Sequence, residues 1–120
     1  MQQPKLDEWY TPASVALRCV QELTTRLTVS LSEFDSILEP SAGEGAFVRA
    51  LETVAGQPLE NLSWIDINSR DAKTRQDYLT FEPASVAKQL VVGNPPFGKK
   101  GQLATRFFNH AAKHAHVIAF

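Results

Sequence analysis

A short apolar segment, a glycine-containing loop and an amphipathic helix follow one another early in the chain, and this order constrains the fold more than any other feature. Residues 36–39 (Ser-Ile-Leu-Glu) predict a short buried strand. Residues 40–45 (Pro-Ser-Ala-Gly-Glu-Gly) supply the loop, and apolar side chains then recur at helical spacing over residues 47–55 before Gly56. A strand joined in this way to a helix is typical of an open parallel sheet covered by helices.

The same alternation continues along the 120 residues and favours one α/β domain over residues 1–120. Thr11 is predicted as the N-cap of a helix, with Pro12 as its first residue. We expect a mostly parallel sheet with helices on both faces. The remaining predicted elements are a helix at 11–27, strands at 62–67, 74–76 and 90–93, a helix from 101 to about 113, and an apolar strand within 115–120.

The final apolar segment predicts a strand with no following helix or hairpin, so we expect the sheet to be incomplete at the C-terminus. An uncovered strand edge presents unpaired backbone groups to other chains. The sequence therefore predicts a possible homo-oligomer, or pairing with a partner chain, through this last strand.

The composition predicts a soluble, cytoplasmic protein without a membrane segment, because the sequence contains no long apolar run and no leader-like N-terminus. Cys19, the single cysteine, cannot form an internal disulfide and shares a predicted helix face with apolar residues, which favours burial. His110 and His114 are one helical turn apart, but no third ligand is evident. We therefore expect solvent-facing histidines and no metal.

Charge is distributed unevenly along the chain. All 13 acidic residues lie at or before Glu82, whereas five of the 12 basic residues follow it. The basic end contains residues 94–98, so a polyanion would be attracted toward this loop. Five scattered basic residues are fewer than most nucleic-acid-binding modules carry, and the charge pattern alone is a weak signal.

The loop after the most apolar predicted strand has the composition of a site for an amino group. Pro95 and Pro96 restrict the backbone, so the loop is stiff before a ligand arrives. The carboxamide oxygen of Asn94 and the carbonyl of Pro95 can each accept one N–H of a planar exocyclic amine, and Phe97 offers a flat face for a base. The alternative interpretation is a rigid turn at the end of a strand.

Four polar side chains are predicted at the ends of parallel strands. Asp66 follows the glycine loop by roughly 20 residues, the separation at which an acid often binds ribose hydroxyls. Because parallel strands end at one rim of a sheet, Glu39, Asp66, Asp77 and Asn94 are expected to converge. Glu39 and Glu44 would repel a pyrophosphate, so a cationic, phosphate-free nucleoside fits better. The alternative to a binding role is that Asp66 is a solvated acid at the end of a strand and that Asp77 caps a helix or turn.

In combination, these segments resemble the S-adenosylmethionine-dependent amino-methyltransferases, specifically N6-adenine methyltransferases whose cofactor motifs precede the catalytic motif. The resemblance spans nearly the whole chain and implies a Rossmann-like methyltransferase fold that ends after its fifth strand. The matching segments are residues 9–12 (Trp-Tyr-Thr-Pro), 38–47 (Leu-Glu-Pro-Ser-Ala-Gly-Glu-Gly-Ala-Phe), Asp66, 77–78 (Asp-Tyr), 94–97 (Asn-Pro-Pro-Phe) and 117–120 (Val-Ile-Ala-Phe).

The resemblance also implies which residues bind S-adenosylmethionine. Thr11 and the loop backbone would hold the methionine carboxylate, and Glu39 would lie toward the methionine amine. Asp66 would take the ribose hydroxyls, and Asp77 would accept from the adenine amine with Tyr78 beside the ring. The full set implied for the cofactor is Thr11, Glu39, Ala42, Gly43, Gly45, Asp66, Asp77 and Tyr78.

The reaction implied by the resemblance is methyl transfer from S-adenosylmethionine to the N6 amine of adenine in nucleic acid, with DNA favoured over RNA and S-adenosylhomocysteine as product. Asn94, Pro95, Pro96 and Phe97 form the implied catalytic segment, in which Asn94 and Pro95 orient the amine and Phe97 stacks on the base. Three alternatives stay open: an RNA adenine methyltransferase, a protein glutamine methyltransferase, which often has tyrosine where this chain has Phe97, and a catalytically silent module that binds cofactor or a partner.

Overall fold

The computed structural model describes residues 10–28 and 30–120, and its centre is a four-stranded, wholly parallel sheet. The strands are β1 (Ser36–Glu39), β2 (Leu62–Trp64), β3 (Gln89–Val92) and β4 (Val117–Ala119). Their spatial order is β2-β1-β3-β4, with Ile37 opposite both Leu62 and Leu90, and Leu90 opposite Val117. The described residues also form three α-helices, α1 (Ala13–Leu27), α2 (Ala46–Ala55) and α3 (Gln102–Ala112).

Helices cover both faces of the sheet, because side chains alternate along each strand. Ile37, Leu90 and Val92 point to one face and pack in a core with residues of α1 and α2. Leu38 and Val91 point to the other face and pack with residues of α3. The predicted α/β class with a parallel sheet is therefore confirmed, and the specific methyltransferase fold stays a prediction.

The end of α2 follows a local sequence signal, whereas the start of α1 does not. Gly56 ends α2 in a left-handed conformation (φ 74°), and its amide donates to Glu52 O at 2.9 Å, as expected of a C-terminal glycine. At the start of α1, Pro12 is the N-cap, and no side chain caps the helix, so the predicted capping role of Thr11 is wrong.

Within the described residues, no helix is both long and apolar enough to cross a membrane.

Three further predictions are corrected by the structure. The strand predicted at 62–67 ends at Trp64, because Asp66 N bonds across to Thr74 O (2.9 Å) and the chain enters turns. Residues 74–76 form no strand. Cys19 is exposed, since α1 buries Ala16 and Val20 on its sheet-facing side.

The strand order places a topological switch point at the carboxyl ends of β1 and β3. The chain passes from β1 through α2 to β2 on one side, whereas β3 pairs with the other side of β1. In open α/β sheets, ligands bind in the crevice at such a point. The loops that follow Glu39 and Val92 are thereby brought together.

Candidate functional site

A cleft of about 430 Å³ opens at the carboxyl ends of the strands, within the size range of small-molecule sites. A recess of about 50 Å³ adjoins it and shares Ser41, Gly43 and Asn94 with its lining. The recess is also lined by Thr11, Glu39 and Ala42. The predicted site residues that line the large cleft are Gly43, Asp66, Asp77, Tyr78, Asn94 and Pro96.

Glu39, the last residue of β1, is a buried carboxyl group at the base of the recess, with 1% of its surface exposed. Its Oε1 accepts from Ser41 N at 2.7 Å. Burial is the main cause that raises the pKa of Glu39 to about 8, and the charge of Asp66 raises it further, whereas the Ser41 amide opposes the shift. The carboxyl group is therefore largely neutral at pH 7 in the absence of a cation.

Gly93, directly after β3, packs against this carboxyl group. A Cβ atom at this position would lie 2.7 Å from Glu39 Cδ, a distance that carbon atoms do not tolerate. The contact requires glycine, and it fixes the end of β3 beside the end of β1.

The glycine loop is held by internal hydrogen bonds. Gly43 N donates to Asp66 Oδ2 at 2.7 Å, Ala42 N donates to Ile65 O at 3.0 Å, and Gly45 N donates to Ala42 O at 2.8 Å. All three amides thus have acceptors within the protein, and their predicted contact with a ligand carboxylate stays a prediction. Gly45 itself lines neither cavity.

Asp66 faces the cleft with both carboxylate oxygens anchored. Oδ2 accepts from Gly43 N and Oδ1 accepts from Asn68 N, each at 2.7 Å. A carboxylate oxygen can accept a second hydrogen bond. The side chain is therefore held in place while it keeps acceptor capacity toward the cleft.

Asp77 and Tyr78 also line the large cleft. Asp77 is the N-cap of a short 3₁₀ turn, where its Oδ1 accepts from Leu79 N at 3.0 Å, so the predicted capping alternative describes one of its contacts. Tyr78 is 1% exposed and its ring packs on Phe107 with centroids 5.2 Å apart. Burial raises the pKa of Tyr78 well above its ordinary value.

His110 in α3 and His114 just after it both pack against Tyr78, so the prediction that they face solvent is wrong. His110 is buried, and its Nε2 lies 2.8 Å from Phe81 O. His114 is half-buried, and its Nε2 lies 2.9 Å from Tyr78 Oη, while its Nδ1 contacts Gln89 Oε1. Burial lowers the pKa of His114, and the neighbouring His110 lowers it further.

The loop after β3 is anchored at both ends. Asn94 Nδ2 donates to Thr11 Oγ1 at 3.2 Å, and Asn94 O accepts from Ser41 Oγ at 3.2 Å. Phe97 O accepts from Leu103 N at 3.1 Å, which ties the loop to the start of α3.

The proline and aromatic residues of the loop after β3 differ in exposure. Pro95 is buried, Pro96 is half-buried against the cleft, and the Phe97 side chain is 52% exposed outside the cleft lining. Trp9, the first residue of the predicted leading motif, lies outside the described residues.

Among the lining residues that sequence reasoning did not assign to the site, three make informative contacts or add charge. Tyr10 lines both cavities, and a Cβ at Gly43 would lie 3.4 Å from its ring. Ser41 bridges the two loops, and exposed Arg106 adds a positive charge to the cleft lining. Ser41 could have been identified by its position two residues after a strand-end carboxylate, whereas Arg106 carries no local signal. In the described part of the chain, no group of three or more His, Cys, Asp or Glu side chains is arranged to hold a metal.

Comparison of the chain with protein-family models finds no match, and comparison with curated proteins finds none either. The functional conclusion therefore depends on the cleft geometry together with the sequence motifs.

Proposed function

We propose that this chain binds S-adenosylmethionine in the cleft at the β1–β3 switch point and transfers its methyl group to the N6 amine of adenine in DNA. The observation that carries the proposal is the convergence of Asp66, Asp77 and Asn94 on one cleft. Asp66 and Asp77 suit a nucleoside, and Asn94 begins the Asn-Pro-Pro-Phe segment. A nucleoside pocket that adjoins an amine-orienting loop suits methyl transfer.

The charge of the cleft supports a cationic nucleoside rather than a nucleotide. Within the described residues, the charged side chains of the cleft lining are Asp66, Asp77 and Arg106, and the adjoining recess is lined by Glu44 and Arg49 beside the buried Glu39. A sulfonium is attracted by the carboxylates of Asp66 and Asp77, whereas phosphate groups are repelled. Asp66 retains acceptor capacity for ribose hydroxyls, and Glu39 can ionise against the methionine ammonium group.

The orientation of Asn94 supports a role in holding an amine. Its Nδ2 donates to Thr11 Oγ1, which leaves Oδ1 to accept a hydrogen bond from a substrate. With the Pro95 carbonyl as a second acceptor, the two N–H groups of an adenine amine would be held so that the nitrogen lone pair faces the methyl carbon. S-adenosylmethionine would supply the methyl group: the nitrogen would form a bond to that carbon as the sulfonium S–C bond breaks, with S-adenosylhomocysteine as product, and the methylated amine would then lose one proton to water. Positioning would supply most of the catalysis, since the sulfonium is already a good methyl donor.

Features outside the cleft support a nucleic-acid substrate. Phe97 is half exposed and follows Pro96, which lines the cleft, and a base rotated out of its stack could pack on this ring. Lys99 and Lys100 follow in an exposed turn and can contact phosphates. No acidic residue follows Glu82, which favours approach of a polyanion to this side.

The test is transfer of a radiolabelled methyl group from S-adenosylmethionine to unmethylated duplex DNA, followed by digestion and mass spectrometry of the nucleosides. We expect N6-methyladenine with the wild-type chain and none with Asn94→Ala, while cofactor affinity changes little. Asn109→Ala is the matched control, because Asn109 is exposed on α3 outside both cavities. Label in RNA or in protein in place of DNA would overturn the proposed substrate, and cofactor binding without any transfer would favour the silent module.

A further inference from the structure

Ser41 connects the two halves of the site through separate groups. Its backbone N–H donates to Glu39 Oε1 at 2.7 Å, and its hydroxyl donates to Asn94 O at 3.2 Å. The hydroxyl lies 3.5 Å from Glu39 Oε1, at the limit of a hydrogen bond. One half-buried residue of the glycine loop therefore contacts both the carboxyl group in the recess and the backbone of the loop after β3.

The hydrogen bond from Ser41 to Asn94 O lies two residues after the end of β3, where the loop leaves the sheet. Asn94 is exposed, so burial does little to hold it. Its side chain is held by Thr11 and its carbonyl by Ser41. The two prolines that follow transmit the direction set at this carbonyl, because they restrict backbone rotation.

We propose that Ser41 is a positioning residue whose hydroxyl fixes the backbone of Asn94 and thereby aligns its carboxamide with a methyl donor bound beside the glycine loop. The proposal rests on the proposed function for its catalytic consequence. Ser41 does not touch the reacting atoms in this account. The Ser41 N–H donates to Glu39 in the recess, whereas the Ser41 hydroxyl donates to Asn94 in the loop after β3. A substitution that removes only the hydroxyl therefore separates the two contributions.

The separating substitution is Ser41→Ala, which removes the hydroxyl and keeps the N–H to Glu39. We expect kcat for methyl transfer to fall about 10-fold, which corresponds to the loss of roughly one hydrogen bond, whereas the Kd for S-adenosylmethionine changes less than about 3-fold. Ser41→Thr keeps a hydroxyl and should restore most of the rate. Ser32→Ala is the control, because Ser32 is exposed and its hydroxyl contacts Ser30 Oγ (2.9 Å), far from this loop in the chain.

A second readout does not depend on activity. The amide of Leu103 donates to Phe97 O, so its hydrogen exchange reports how firmly the loop is held. We expect faster exchange at Leu103 in Ser41→Ala, unchanged exchange at Val91 within β3, and recovery in Ser41→Thr. Absence of transfer by the wild type would overturn the proposed function alone, since the exchange result still tests the positioning role. Unchanged kcat, a parallel loss of cofactor affinity, or unchanged exchange at Leu103 would each overturn the role of Ser41.

Discussion

Replacement of Glu39 by glutamine should make the chain more stable relative to the wild type as the pH rises. The pKa of Glu39 is raised from 4.5 to about 8 in the folded chain, chiefly by burial. Between these values the unfolded chain has lost the proton and the folded chain has kept it, so this group lowers folding stability with increasing pH. Glutamine is close in shape, can still accept from Ser41 N and does not titrate, so the variant isolates this effect.

The expected magnitude follows from the size of the shift. Each unit of pKa difference corresponds to about 1.4 kcal/mol, and the difference for Glu39 is fully developed only at pH 8 and above. Between pH 5 and pH 8, the free energy of unfolding of Glu39→Gln should gain about 3 to 4 kcal/mol on that of the wild type. A bound cation that ionises Glu39 would reduce this gain, so the measurement is made without ligand.

Urea denaturation at pH 5, 6, 7 and 8 measures the effect. Glu44→Gln is the matched control, because Glu44 lies in the same loop with an exposed side chain that folding does not desolvate. The observable is the change with pH of the difference in free energy of unfolding between Glu39→Gln and wild type, because a packing effect of the substitution that is the same at every pH cancels. A difference between Glu39→Gln and wild type that stays constant from pH 5 to pH 8 would refute it.

Three further perturbations test the packing around the site. Gly93→Ala should lower the free energy of unfolding by about 1 to 3 kcal/mol in urea denaturation, because the added Cβ meets the Glu39 carboxyl group; full stability would contradict that contact. Tyr78→Phe removes the hydrogen bond to His114 and should cost about 1 kcal/mol in the same assay, and no loss would mean that the bond contributes nothing. Burial lowers the pKa of His114 below 6.5, so the unfolded chain binds this proton more readily, and His114 lowers the free energy of unfolding as the pH drops below about 6.5, opposite to the trend from Glu39. In urea denaturation, the free energy of unfolding of His114→Gln should therefore gain on that of the wild type from pH 7 to pH 5, and a difference that is the same at both pH values would exclude this contribution of His114.

The parts of the fold that could be predicted from the sequence are those with local signals. Residues 36–39 and 46–55 were predicted almost to their ends, because an apolar strand, a glycine loop and a helix-ending Gly56 are adjacent in the chain. The strand predicted at 90–93 begins one residue earlier in the structure, at Gln89. The convergence of Asp66 and Asn94 on one cleft also followed, since parallel strands end at a common rim.

Residues 65–81 could not be predicted in the same way. Their turns are set by side chains that accept from backbone amides two residues ahead, as Asp66 does from Asn68 and Asp77 does from Leu79. Such contacts leave no periodic pattern in the sequence, so a strand was predicted at 74–76 where turns are found.

The histidines show a second limit of local sequence patterns. His110 and His114 face Tyr78, which precedes them by 32 and 36 residues, and nothing in α3 alone signals that partner. Ser41 is similar, since its bond to Asn94 joins residues 53 positions apart. Contacts of this kind depend on strand order, and the sequence predicts strands more readily than their order.

Isothermal titration of the folded chain with S-adenosylmethionine tests the central claim most directly. Asp66→Ala is the informative variant, and Asp71→Ala is its control, because Asp71 is an exposed aspartate that also accepts from a backbone amide but lies outside the cleft lining. We expect saturable binding of one molecule per chain, weakened about 10-fold or more by Asp66→Ala and unchanged by Asp71→Ala. Absence of binding by folded wild type, or equal affinity in wild type and Asp66→Ala, would contradict the account.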